Sequence, residues 1–100
     1  MTKVGRKVKR IISHPYVRVE RAIENNEQIT KEYREHLHLY EDRIITREHV
    51  FLVNDVHDMS FRLFSSAAGM LYLHTNQGVF SYTVPKDPVY FIEEYKKLKG

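Results

Sequence analysis

The stretch Gly69-Met70-Leu71-Tyr72-Leu73-His74-Thr75-Asn76-Gln77-Gly78-Val79-Phe80-Ser81-Tyr82-Thr83-Val84-Pro85-Lys86-Asp87-Pro88 decides the fold. Two strand-like runs, Met70–Thr75 and Val79–Val84, meet across Asn76-Gln77-Gly78, where glycine is free to take the positive φ of a tight connection. Leu71 and Leu73 share one face, with Tyr72 and His74 on the other; spacing alone leaves open which face is buried. The prolines then stop the hairpin and open a helix over Pro88 to Lys99. Asp87 is expected to cap its free N–H groups, and Pro88 to take the first helical position, where a missing donor costs nothing. Phe91, Ile92, Tyr95 and Leu98 recur at helical spacing, so one apolar stripe can close the open end of a sheet or barrel. Lys96, Lys97 and Lys99 suit the C-terminal end of the helix dipole, and Gly100 ends the element.

Upstream, the period is mostly two. Met59, Phe61 and Leu63 alternate with Ser60 and Arg62 across Val56 to Phe64, and the small residues Ser65 to Gly69 form a loop. Val50 to Val53 is a short continuous apolar run, which predicts a strand covered on both faces. Leu37 and Leu39 share a face against His36, His38 and Tyr40, and Glu41-Asp42 turns the chain into Arg43 to Arg47. Tyr16 to Arg21 is the first strand. The His14-Pro15 step sets a boundary before it, because a residue preceding proline is driven to extended angles. Asn25-Asn26 is a turn. Ile29 to Glu35 reads equally as a short helix capped by Thr30 or as a strand edge. The expected architecture is mainly β: an antiparallel curled sheet or partly open barrel over residues 16–100, capped by one C-terminal α-helix and preceded by a basic arm over residues 1–15.

One hundred residues support a single core, and 42% hydrophobic content excludes a disordered chain. Cysteine is absent, which removes disulfides and thiolate metal sites and suits a cytoplasmic protein. The N-terminus lacks the apolar run of a signal peptide, and no segment approaches the length of a membrane helix. Charge is uneven. Lys3, Arg6, Lys7, Lys9, Arg10, Arg18 and Arg21 face the single acid Glu20 within the first 22 residues, and the rest of the chain is net acidic. Those seven residues are the candidate anion-binding set, for nucleic acid or anionic lipid. Acids break up the positive charge beyond residue 22, so a protein partner is preferred.

Several of these segments together resemble a known family. They are Leu37-His38-Leu39-Tyr40-Glu41-Asp42-Arg43-Ile44-Ile45, Asp55-Val56-His57-Asp58-Met59-Ser60-Phe61, and Leu71-Tyr72-Leu73-His74-Thr75 before Val79-Phe80-Ser81-Tyr82. The order of antiparallel strands and a final amphipathic helix is similar to the pleckstrin-homology architecture in its small bacterial relatives, over roughly residues 16–99. The resemblance implies a partly open barrel used to recognise proteins or anionic ligands, and implies no catalytic residues. Glu20, Glu24, Glu27 and Glu32 interleave with Arg18, Arg21 and Lys31, which departs from a phosphoinositide-binding hairpin.

Two chemical constellations compete with a binding role. His36 and His38 project from one strand face and could share a metal ion, with a third ligand from His57, His74 or Asp58. An enzyme would recruit Asp55 and Asp58, His57 as base, and Ser60 or Ser65 as nucleophile, although His57 and Asp58 should point to opposite faces. The four glycines are scattered, so there is no phosphate cradle, and no cofactor is expected. Val79 to Val84, with tyrosine, phenylalanine and no charges, would be hazardous as a free edge, so it is either paired within the barrel or extends a sheet across a homodimer.

Overall fold

Among the described residues, period-two patterning and tight turns produce seven strands, and the apolar stripe at the end produces one helix. The structure, a computed structural model, describes residues 9–66 and 68–100. Its elements are β1 (Ile12–Glu24), β2 (Glu27–Leu39), β3 (Arg43–Ile45), β4 (Val50–Leu52), a 3-10 turn (Val53–Asp55), β5 (Val56–Leu63), β6 (Gly69–Thr75), β7 (Gly78–Val84) and α1 (Val89–Lys99). All pairings are antiparallel, in the order β4-β3-β2-β1-β7-β6-β5, and the sheet is not closed. It curls strongly. Phe51 of β4 and Phe80 of β7 are not on neighbouring strands, yet their rings meet at 4.9 Å across the concave side.

The concave face carries the core. Leu37 and Leu39 of β2, Ile44 of β3, Val56 of β5, Leu71 and Leu73 of β6 and Val84 of β7 are fully buried there. Leu71 and Leu73 therefore point inward, and Tyr72 and His74 outward. The helix lies over this face with Phe91 and Tyr95 buried and Ile92 and Leu98 packed against them. The Tyr95 hydroxyl donates to the Val56 carbonyl at 2.6 Å, and Lys99 Nζ donates to the Val53 carbonyl at 3.2 Å. Both tie α1 to the start of β5.

Several expectations need correction. The strand containing Tyr16 starts at Ile12 and runs straight through His14-Pro15, so that step marks no boundary. Proline is tolerated because of its phase. The two-residue loop closes on the pair Glu24↔Glu27, and hydrogen bonding alternates from there, so Pro15 faces His36 across a site that asks no donor of it. Ile29 to Glu35 is strand throughout, within β2. Val50 to Leu52 is covered on one side only: β4 is an edge strand, with Phe51 buried while Val50 and Leu52 are exposed. Of the two alternatives for Val79 to Val84, pairing within the sheet holds: β7 pairs β6 along its length and meets β1 at Thr83. The helix begins one residue later than expected, with Pro88 as its N-cap and no side-chain cap from Asp87.

Glycine is required at two places. At Gly69 an added Cβ would press into the Arg62 carbonyl and the Phe61 ring of β5, and Gly78 follows the Asn76-Gln77 turn at φ 118°. The closing role of α1 fixes the expected stabilities. Phe91→Ala should lower the unfolding free energy by about 3–5 kcal/mol, and Tyr95→Phe by about 1–3 kcal/mol because the Val56 carbonyl is left without its donor. Urea denaturation measures both; a Phe91→Ala protein as stable as its parent would remove the helix as the closing element.

Candidate interaction surface

The longest feature of the molecule lies outside the core. β1 and β2 pair continuously from Ile12↔Leu39 to Glu24↔Glu27, whereas β1 meets β7 in register only at Val17↔Thr83 among the described residues. β3 joins β2 only at His38 and Leu39. Beyond those contacts the two strands run on as a two-stranded arm, consistent with overall dimensions of 57 × 35 × 24 Å. Asn25 and Asn26 turn its tip with φ of 53° and 65°, the doubly left-handed turn that matches the twist of a hairpin.

Alternation divides the arm into two faces. The inner face, continuous with the core, carries Arg18, Glu20, Ala22, Ile29, Lys31, Tyr33 and Glu35. Arg18 organises its base. Its guanidinium bonds Glu20 at 2.6 Å and Glu35 at 3.2 Å, lies 3.8 Å from Glu48, and stacks 4.5 Å from the centre of the Tyr33 ring. The carboxylates of Glu20 and Glu35 raise its pKa further. The Tyr16 hydroxyl donates to Glu48 Oε1 at 2.9 Å and accepts from the Arg47 N–H at 3.2 Å, which fixes the β3–β4 connection against β1. Burial raises the pKa of Tyr16, and pushes that of its neighbour Tyr82 up to about 12. The outer face carries Val17, Val19, Arg21 and Ile23 opposite Arg34, Glu32, Thr30 and Gln28. Ile23 is 78% exposed and Val19 48%.

The seven basic residues do not converge. Lys3, Arg6 and Lys7 lie outside the described residues. Lys9 and Arg10 are exposed ahead of β1, with Arg10 Nη1 3.5 Å from His38 Nδ1. Arg18 is held by carboxylates on the inner face, and Arg21 sits on the outer face opposite Thr30. Nor do the histidines gather. The His36 and His38 rings stack at 6.1 Å on the outer side of β2, while His57, Asp58 and His74 belong to β5 and β6 at the other end of the sheet. No group of three His, Asp or Glu side chains that could hold a metal ion occurs among the described residues.

Ser60 finds a histidine that sequence order did not suggest. Its Oγ lies 2.8 Å from His74 Nε2 on the neighbouring strand, and Asp58 stands directly across from His74. The strand register shifts between Val56 and Asp58, leaving His57 and Asp58 both exposed rather than on opposite faces. Ser60 is exposed and does not line the open cleft of about 260 Å³ bounded by Val50, Leu52, Asp55, Thr75, Asn76 and Gln77. Among the described residues the pair has neither a walled site nor a third group hydrogen-bonded to the base.

The chain matches no family model, and no curated protein matches it with significant similarity. Among the described residues no helix is long and apolar enough to cross a membrane.

One buried titratable group couples β1 to the start of α1. His14 is buried beside Phe91, and its Nε2 lies 3.0 Å from the Lys86 carbonyl. A carbonyl only accepts, so the neutral ring carries its proton on Nε2. Burial lowers the His14 pKa below its ordinary 6.5, and burial together with Arg10 lowers that of His38. The unfolded chain therefore takes up these protons more readily than the folded one. Stability is complete above about pH 6.5 and is lost as pH falls from there towards the depressed folded values. Thermal midpoints should decline over that window, and His14→Gln, which keeps a donor for Lys86, should make the decline shallower; an unchanged slope would contradict the assignment.

Proposed function

We propose that this chain is a non-catalytic binding module that recognises a protein partner through its projecting arm. The observation that carries the reading is the exposed apolar pair Val19 and Ile23 on the outer face of the arm, beyond the last contact of β1 with β7 at Val17. Isolated two-stranded ribbons are marginal in water, so an arm of this length is best accounted for by a surface it meets. Its charges alternate: Arg18, Arg21, Lys31 and Arg34 are interleaved with Glu20, Glu24, Glu27, Glu32 and Glu35. A phosphate-bearing polymer or anionic membrane would find no uniform positive face on the arm, which favours protein over nucleic acid or lipid. Antiparallel strands followed by one C-terminal helix is also the element order on which the resemblance to pleckstrin-homology-like recognition domains rests, and it supports the same reading.

Val19→Asp combined with Ile23→Asp should abolish capture of protein partners from cell extract while leaving the urea midpoint within the range of ordinary surface substitutions, about 0.5 kcal/mol. Capture that survives both changes, or binding only to nucleic acid or anionic vesicles that fades steeply with salt, would reject this reading.

A further inference from the structure

The open edge of β2 is complementary to itself, and we infer that a second copy of this chain docks there, arm against arm, with Tyr33 on the two-fold axis. The inference rests on the arm being a protein-binding element and adds a second copy at its β2 edge, a contact separate from the Val19 and Ile23 face. Hydrogen bonding across the arm alternates from the closing pair Glu24↔Glu27, so the odd-numbered residues of β2 bond β1. Thr30, Glu32, Arg34 and His36 turn their N–H and C=O groups the other way. β3 occupies that side only at His38 and Leu39, so these backbone groups present a free ladder.

Opposed residues in an antiparallel pair share a face, and a two-fold axis through Tyr33 determines every contact. Glu32 meets the second copy's Arg34, Lys31 meets its Glu35, and each contact occurs twice. Thr30 meets its His36. The two Tyr33 rings face each other at a non-hydrogen-bonded position, where side chains approach most closely. Moving the axis one residue either way sets Glu32 against Glu32, or Arg34 against Arg34. The alternation of charge thus selects one register.

The side chains are placed for it. Glu32 and Arg34 have no ion-pair partner among the described residues. Glu35 is already ordered by Arg18, so the second copy's Lys31 would extend an existing network. Tyr33 is 38% exposed beside the Arg18 guanidinium. β3 already pairs His38 and Leu39, so the shared ladder spans Thr30 to His36 and the two tips diverge beyond it. Paired this way, two arms form a continuous four-stranded ribbon with Val19 and Ile23 from both copies on one face.

Sedimentation equilibrium of the full chain over a concentration series tests this directly. The parent should show a reversible monomer–dimer equilibrium that weakens as salt rises. Glu32→Arg and Arg34→Glu should each weaken it by about tenfold or more, because each sets two like-charge contacts across the axis. Mixing these two variants should restore the dimer, since the mixed pair is complementary at all four positions, and the double variant Glu32→Arg/Arg34→Glu should restore it alone. A parent that stays monomeric, a dimer indifferent to either single change, or a mixture no more associated than its components would overturn the inference. If the parent is monomeric yet Val19→Asp/Ile23→Asp still abolishes capture of another protein, only the second-copy partner falls and the arm remains a protein-binding element.

Discussion

Burial of Phe91 and Tyr95 against the concave side of the sheet is the constraint on which the rest depends. A sheet curled but not closed leaves one apolar face uncovered, and among the described residues α1 is the element that covers it. Each fully buried large side chain contributes about 1.5–3 kcal/mol, so two aromatics supply a substantial part of a small domain's net stability of about 5–15 kcal/mol. The helix needs the sheet equally. It has 11 residues, no side-chain cap, and β-branched Val89 and Ile92 in its first turn. A helix that short is marginal alone in water. Neither element is stable without the other, and the Tyr95–Val56 hydrogen bond joins them where β5 begins.

The arm follows a different physics. It has no core behind it, so its order comes from backbone pairing, the Asn25-Asn26 turn and charge. Exposed ion pairs are individually worth about 0–1 kcal/mol, and most of those on the arm are of that kind. The Arg18 cluster differs because its side chain is only 17% exposed and engages two carboxylates and an aromatic face at once. It sits where the ribbon leaves the sheet. Order is therefore greatest at the base, while the tip opposes Glu24 to Glu27, a like-charge pair that adds nothing to cohesion.

Much of this was legible in residue order, and the rest was not for identifiable reasons. The β6–β7 hairpin and the helix stripe could be read because period, turn residues and terminators agree there. The burial of Leu37 and Leu39 was likewise visible as simple alternation. The arm was not, since one face of Glu27 to Arg34 mixes Ile29 and Tyr33 with Glu27 and Lys31 while the other is wholly polar, and period two has little contrast when neither face is buried. Val50 to Leu52 misled in the opposite direction. An apolar run signals burial only if something covers both faces, and β4 ends the sheet. The Ser60–His74 and Arg18–Glu48 contacts depend on strand register and on a folded-over connection, which local spacing does not encode.

A free strand edge is ordinarily a hazard, and charged residues placed on it are ordinarily a defence. β2 carries such charges, but their order is more specific than defence requires. An edge built only to repel would carry one sign, so that every approach of a second copy met repulsion. Lys31-Glu32-Tyr33-Arg34-Glu35 instead reverses sign symmetrically about a tyrosine. Most registers are penalised by such a sequence and one is favoured, which is how specificity arises from a difference between arrangements rather than from attraction alone. The same five residues can then keep the arm from pairing indiscriminately while leaving it one partner.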